Sequence, residues 1–203
     1  MFKVYGDIRS GNCFKVKLLM QFLSIEHEWI HVDILVRETQ TPEFMAMNPN
    51  AKIPVLQIDD STYLSESNAI LNFLAEGTEF LPPSGIERAR VLEWQFFEQY
   101  SHEPYIAVAR YIKKYLGLPK EREADYFSKH EGGYKALGIM EDQLSKTDYL
   151  VGDKPTIADI SLYAYTHVAH EGGFELNDYP SIRDWFGRIE AIPGYVSMDR
   201  LDA

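Results

Sequence analysis

Asn48-Pro49-Asn50-Ala51-Lys52-Ile53-Pro54-Val55-Leu56-Gln57-Ile58-Asp59-Asp60-Ser61-Thr62-Tyr63-Leu64-Ser65-Glu66-Ser67-Asn68 is the stretch on which the fold turns. Two short apolar runs, 54–58 and 62–64, flank the turn residues Asp59-Asp60-Ser61 and read as a β-hairpin. Ser65-Glu66-Ser67-Asn68 then opens a helix reaching about Glu76. Ser65 can cap it, although Asn68 stands where a capping box prefers Glu or Gln. Upstream, Phe2-Lys3-Val4-Tyr5 reads as a short strand and Gly6 to Asn12 as a polar loop. From Cys13 to Ser24, Val16, Leu19, Met20 and Leu23 share one helical face. Trp29, Ile30 and Val32 mark a second strand ending at Asp33. Thr41-Pro42-Glu43 is an N-cap with proline at the first helical position, and that helix stops near Asn48-Pro49. The order βαβ followed by αββα describes a small α/β unit.

Beyond Gly77 the pattern changes. Gly-Thr-Glu-Phe-Leu-Pro-Pro-Ser-Gly, residues 77–85, has linker composition, and no strand signal follows it. The expected division is 1–77 as one domain, 78–86 as linker and 87–203 as an all-helical domain. A long helix from Ile86 to about Tyr115 carries an aromatic stripe, Trp94, Phe97, Tyr100 and Tyr105, expected to lie in the core. Further helices are expected over 121–145, from Thr156, and over 181–192. His-Glu-Gly-Gly occurs at 130–133 and again at 170–173, with unmatched flanks, so it is not a repeat. Gly172-Gly173 suits a helix end. Gly132-Gly133 weakens a helix interior by about 1 kcal/mol per glycine, and the sequence offers no reason for it.

Composition narrows the function. Of 203 residues, 45% are hydrophobic and 25% charged, the balance of a globular chain able to bury a core without staples. Lys and Arg number 20 against 31 Asp and Glu, a net charge of −11 that repels phosphate backbones and argues against nucleic-acid binding. No apolar run approaches the ~20 residues of a bilayer span, and no basic stretch followed by an apolar one opens the chain, so neither membrane insertion nor secretion is expected. Cys13 is the one cysteine, which excludes an internal disulfide or a Cys-pair site and suggests a reducing, cytoplasmic compartment. Neither Gly-x-Gly-x-x-Gly after the first strand, nor a phosphate loop, nor His-Glu-x-x-His is present. His167 and His170 lack a third ligand, so no metal is expected.

Three segments carry candidate chemistry. Ile8-Arg9-Ser10-Gly11-Asn12-Cys13-Phe14-Lys15-Val16 runs from a strand into a helix. A helix N-terminus presents unpaired N–H groups and about half a positive charge. Ser10 and Asn12 add donors there, a combination that stabilises an anion such as a thiolate; either side chain can instead simply cap the helix. Ile53-Pro54 invites a cis bond that turns the Ile53 N–H and C=O outward for a ligand, the alternative being an ordinary proline-led edge strand. Glu66 and Ser67 in a first turn offer a carboxylate, a hydroxyl and an N–H, a set suited to a ligand bearing both an ammonium and a carboxylate.

In this order and spacing the segments resemble the cytosolic glutathione transferases, over nearly the whole chain. The resemblance rests on the βαβ–ββα unit, the Ser-x-Asn-x-x-Lys-Val entry to the first helix, Lys52-Ile53-Pro54-Val55 and Glu66-Ser67. Thr156-Ile157-Ala158-Asp159 is similar to the family's internal capping box, a structural role for Thr156 and Asp159. The implied fold is a thioredoxin-like α/β N-terminal domain plus an all-α helical C-terminal domain. The implied site places the Ser10 hydroxyl at the glutathione sulfur beside Asn12, which matches an asparagine of bacterial members. Ile53, ahead of Pro54, pairs with the cysteinyl backbone, and Lys52 approaches the glycyl end. Thr39 lies where some classes have a histidine or lysine for the glycyl carboxylate. Ser67 holds the γ-glutamyl carboxylate and Glu66 its ammonium. Cys13 falls where beta-class members carry a cysteine that forms mixed disulfides; the other reading is a small residue packed inside the first turn. Ile8, Tyr105 and Arg110 are the residues expected at an electrophile pocket. The implied activity is transfer of glutathione to a small hydrophobic electrophile in detoxification, with peroxide or disulfide reduction as a side activity, by a homodimer. A reading from another class is an interaction scaffold that keeps the fold without catalysis.

Overall fold

A computed structural model describes residues 1–198. The chain forms two compact units, one from Met1–Glu76 together with the segment beginning at Ile192, the other from Gly77–Ala191. The end of the helical domain expected at 203 lies outside the described residues. Residues 192–198 belong to the first unit, not to the helical one: Gly194, at φ +89°, passes so near Gln21 that a Cβ there would lie 3.0 Å from its carbonyl oxygen. Val196 and Met198 are buried.

The first unit is built on a four-stranded sheet ordered β2-β1-β3-β4: β1 Phe2–Gly6, β2 His27–His31, β3 Val55–Gln57 and β4 Tyr63–Ser65. β1 runs parallel to β2, with Val4 opposite Trp29, and antiparallel to β3, with Val4 opposite Leu56. Alternation along β1 sorts the helices. Phe2 meets Phe73 of α3 (Ser67–Ala75), and Gly6 meets Cys13 of α1 (Gly11–Phe22). Tyr5 points the other way, into a cluster of Val32, Val55 and Phe44, the last from α2 (Pro42–Met47). Thr41 caps α2 by accepting from Phe44 N at 3.2 Å, with Pro42 in the first turn. The hairpin turn is pinned by Asp59, whose Oδ1 accepts from the Ser61 and Thr62 N–H groups, both at 2.9 Å.

The second unit is helical. Helical backbone from Gly85 to Tyr115 comprises α4 (Gly85–Phe97), a π-helical turn Glu98–His102, α5 (Glu103–Arg110) and a second π turn Tyr111–Tyr115. Pro104 brings no N–H to the ladder, and the first wide turn sits just ahead of it. The expected aromatic core stripe is not the buried one: Tyr100 is 86% exposed. Buried instead are Val91, Gln95, Glu98, His102, Ile106 and Ala109, a helical stripe that sequence reading missed because its middle is polar. Two of those polar residues have buried partners: Gln95 Nε2 donates to Ser161 Oγ at 3.4 Å, and His102 Nε2 lies 2.9 Å from Thr166 Oγ1. α6 (Glu123–Leu144), α7 (Ile157–Thr166) and α8 (Pro180–Glu190) complete the bundle. Gly132 and Gly133 now have a reason. A Cβ on Gly132 would sit 2.3 Å from the Tyr105 ring, and one on Gly133 would sit 2.3 Å from the Phe174 ring. Two aromatic rings lie directly on the α6 backbone where side chains would otherwise stand.

Candidate functional site

The loop from β1 into α1 is clasped from inside. Asp7 is buried, and its carboxylate accepts from Arg9 N at 2.9 Å, Arg9 Nε at 3.1 Å and Arg9 Nη2 at 2.9 Å. The Asp7 carbonyl accepts from Ser10 N at 2.9 Å. This tight turn delivers Ser10 as the N-cap of α1 in extended conformation, with its carbonyl accepting from Phe14 N at 2.9 Å. The Ser10 side chain makes no capping hydrogen bond. The first-turn N–H groups and the hydroxyl thus stand together at the helix start.

Cys13 is 0% exposed, packed so closely on β1 that a Cβ at Gly6 would lie 2.7 Å from its Sγ. Burial pushes its thiol up to about 12, with the Ser10 hydroxyl and the Asp7 backbone offsetting part of that. A thiol in that state is protonated at neutral pH and behaves as a small packed residue.

Asn12 faces α3. Ser67, at the first position of α3, donates from Oγ to Asn12 Oδ1 at 3.0 Å. Lys15 donates from Nζ to the same Oδ1 at 2.7 Å and to Ser67 Oγ at 3.4 Å. Lys15 is 0% exposed, and Lys17 of the same helix is also buried, at 3%. Glu66 precedes Ser67 at φ +67° and ψ +109°, an uncommon backbone state for a residue with a Cβ, with its side chain exposed and no cap bond. The Ile53-Pro54 peptide is cis. Lys52 is exposed, and its carbonyl accepts from Asn48 Nδ2 at 2.8 Å. Thr39 is only 6% exposed within a short 3₁₀ turn, which leaves little of it for a ligand carboxylate.

Ser10, Asn12 and Ser67 therefore gather around the start of α1, while Ile53 and Glu66 open the segments that follow in the same unit. Of the residues expected at an electrophile pocket, Ile8 is half-buried in the first loop. Tyr105 lays its ring on Gly132. Arg110 is 3% exposed and donates from Nε to Glu171 at 2.6 Å, with Lys114 closing on the same carboxylate. Arg110 is thus an internal ion-pair residue of the helical unit, not an open pocket wall. Thr156 and Asp159 form a capping box: Thr156 Oγ1 accepts from Ala158 N at 3.2 Å, and Asp159 Oδ2 accepts from Thr156 N at 2.8 Å. Asp159 Oδ1 also accepts from Leu150 N at 2.9 Å and Trp185 Nε1 at 3.0 Å. Among the described residues no group of three or more His, Cys, Asp or Glu side chains is arranged to hold a metal ion. No helix there is long and apolar enough to cross a membrane.

Sequence reasoning missed Asp7 and the contacts of Lys15. The Asp7-x-Arg9 spacing was a local signal for the clasp. For Lys15 the signal was a lysine three residues after Asn12 in a run, 13–20, that is otherwise apolar apart from Lys17.

Two family models match the chain: the glutathione S-transferase N-terminal domain over residues 9–76 and the glutathione S-transferase C-terminal domain over residues 95–193. Glutathione S-transferase F13 of Arabidopsis thaliana is 30% identical over 210 residues, covering 97% of this chain and 94% of its own length. A crystal structure of a glutathione S-transferase from Pseudomonas fluorescens is 60% identical, with TM-score 0.96, covering 98% of this chain and 99% of that one. The transferase URE2P6 of Phanerochaete chrysosporium, solved in complex with oxidized glutathione, is 26% identical with TM-score 0.83, covering 95% of this chain and 92% of its own.

Proposed function

The chain belongs to the glutathione S-transferase family and is a glutathione-dependent transferase; on that footing we propose that its thiolate site is the start of α1, with Ser10 as the activating donor. The single observation that carries this reading is that Ser10 caps α1 with its backbone while its hydroxyl makes no capping bond. The hydroxyl donates one hydrogen bond to the glutathione sulfur, and the helix terminus adds its partial positive charge. A free thiol near 8.5 is only a few per cent thiolate at pH 7. Lowering it by ~2 units corresponds to about 2.7 kcal/mol of thiolate stabilisation. Ser10 need not accept a proton; the thiol proton leaves to solvent, and the thiolate attacks a small hydrophobic electrophile.

The remaining groups hold the tripeptide. Ile53, before Pro54, pairs with the cysteinyl backbone through its N–H and C=O, and Lys52 meets the glycyl carboxylate by charge. Ser67 donates to the γ-glutamyl carboxylate, and the exposed Glu66 carboxylate meets the γ-glutamyl ammonium. The buried state of Cys13 supports serine-based chemistry over mixed disulfide formation at that residue. Removing a donor to a charged carboxylate costs roughly 1–3 kcal/mol, so Ser67→Ala should weaken glutathione binding by that amount in calorimetry. Unchanged affinity would remove Ser67 from the site.

The reading includes a cytoplasmic homodimer acting in detoxification. Leu92, Phe96 and Tyr100 recur every four residues and are all exposed, an apolar stripe suited to a second copy of the chain. Light scattering at micromolar concentration is expected to give twice the chain mass; a monomer refutes the dimer.

A further inference from the structure

Lys15, in the first turns of α1, is a buried charge that the proposed chemistry does not yet use. Placing an ammonium at 0% exposure costs several kcal/mol relative to an apolar side chain. Phe14, Val16 and Leu18 around it in sequence are buried hydrophobics, with Lys17 a second buried lysine, so packing against the apolar neighbours alone would favour Leu or Met here. It donates to Asn12 Oδ1 at 2.7 Å and to Ser67 Oγ at 3.4 Å, acceptors that come from two helices. Ser67 itself donates to Asn12 Oδ1 at 3.0 Å, so the three groups close a triangle.

That triangle has a consequence for proton bookkeeping. A hydroxyl has one proton. When Ser67 turns its proton to a ligand carboxylate, it releases Asn12 Oδ1. Lys15 still donates there, so the Asn12 carbonyl stays pointed inward and the amide meets a bound anion only through Nδ2, as a donor. The ammonium behind Ser67 Oγ also polarises that hydroxyl toward stronger donation.

We infer that Lys15 is a positioning residue of the glutathione site: its buried ammonium holds the Asn12 amide and the Ser67 hydroxyl in fixed orientation, so the thiolate end and the γ-glutamyl end of the ligand bind as one coupled unit. This rests on the site assignment proposed above. Lys15 acts through Asn12 and Ser67 and does not touch the reacting sulfur.

The test uses the whole chain, with glutathione and S-methylglutathione as probes. In Lys15→Met, ultraviolet thiolate absorbance against pH should place the bound glutathione pKa about one unit higher than in the wild type. Affinity for S-methylglutathione, whose sulfur cannot ionise, should fall roughly tenfold, since a charge-assisted donor to its carboxylate is lost. Lys15→Arg should recover most of both effects. In the Asn12→Ala background, Lys15→Met should add no further rise in pKa, because the amide it orients is gone. If Lys15→Met does not fold, Lys15→Gln, which keeps a donor without the charge, is read in its place with the same direction expected. A lower melting temperature with unchanged bound-thiol pKa and unchanged S-methylglutathione affinity would assign Lys15 a purely structural role and overturn the inference. A wild-type chain that lowers the glutathione pKa while both variants match it overturns the inference alone. A wild-type chain that binds no glutathione overturns the site reading and the inference with it.

Discussion

The N-termini of α7 and α1 begin alike, with a hydroxyl residue in extended conformation, and end in opposite states. At α7, Thr156 and Asp159 turn inward and take up the orphan N–H groups of the helix, and Asp159 also reaches Leu150 and Trp185. At α1, Ser10 occupies the same capping position and spends nothing on the cap. A closed N-terminus gives stability and has no donor left for a ligand. An open one forgoes about 1 kcal/mol of capping and keeps its donors and dipole for an anion. The same residue chemistry thus serves a structural or a functional end depending on whether a partner such as Asp159 is present three residues on. α3 is a third variant: Glu66 makes no cap bond and holds an unusual backbone angle of φ +67° to leave its first turn open.

The comparison breaks most sharply at Asp159. Asp159→Ala strands the N–H groups of Leu150, Thr156 and Trp185 in the interior, at an expected cost of about 3–5 kcal/mol. Urea unfolding of the helical unit should show that loss, while the folded fraction keeps its affinity for glutathione.

Ser10→Ala should do the reverse. With no cap bond to lose, stability should stay within ~0.5 kcal/mol of wild type in the same unfolding assay. Transfer should fall tenfold to a hundredfold, about 1.4–2.7 kcal/mol of transition-state stabilisation, and the bound glutathione thiol should ionise at higher pH. Cys13→Ala should leave both readouts near wild type, and oxidised glutathione should add no mass to the intact chain. An adduct at Cys13 with undiminished transfer in Ser10→Ala would invert the roles of the two residues.

The smallest effect concerns the far end of α7. His167 stacks on Tyr163 at 4.5 Å with rings 3° apart, and its Nδ1 lies 2.8 Å from the Tyr163 carbonyl oxygen. Burial lowers its pKa from 6.5 to about 4. The unfolded chain therefore takes up a proton as pH falls through 6.5 while the folded chain does not. Stability from this group is present above that value and is lost progressively toward pH 4. Between pH 7 and pH 5 the expected loss is about 1–2 kcal/mol. His167→Phe, which keeps a stacked ring, should flatten that part of the pH–stability curve in thermal melts.

Legibility in the sequence followed the range of the interactions. The hairpin about Asp59, the Thr41-Pro42 helix start and the Thr156 to Asp159 box use contacts within a few residues, and residue type alone reveals such patterns. The polar stripe of the long helix did not show, because Gln95 and His102 are paired with residues of α7, each more than sixty positions away. Lys15 stood in the motif at the start of the first helix, but its contact was hidden for the same reason: it is made with Ser67, 52 residues on. Tyr100 misled because an aromatic at helical spacing is a core signal only where another element covers it.

The paired glycines of α6 also say something about how the bundle comes together. Alone, a 22-residue segment with adjacent glycines near its middle is a poor helix, since each costs about 1 kcal/mol relative to alanine. What straightens Glu123–Leu144 is the arrival of the Tyr105 and Phe174 rings over Gly132 and Gly133. The expected order is therefore docking with or before helix formation, so that the bundle gains order collectively from segments on both sides in sequence; substitutions at Tyr105 and Phe174 should then slow folding as well as lower stability.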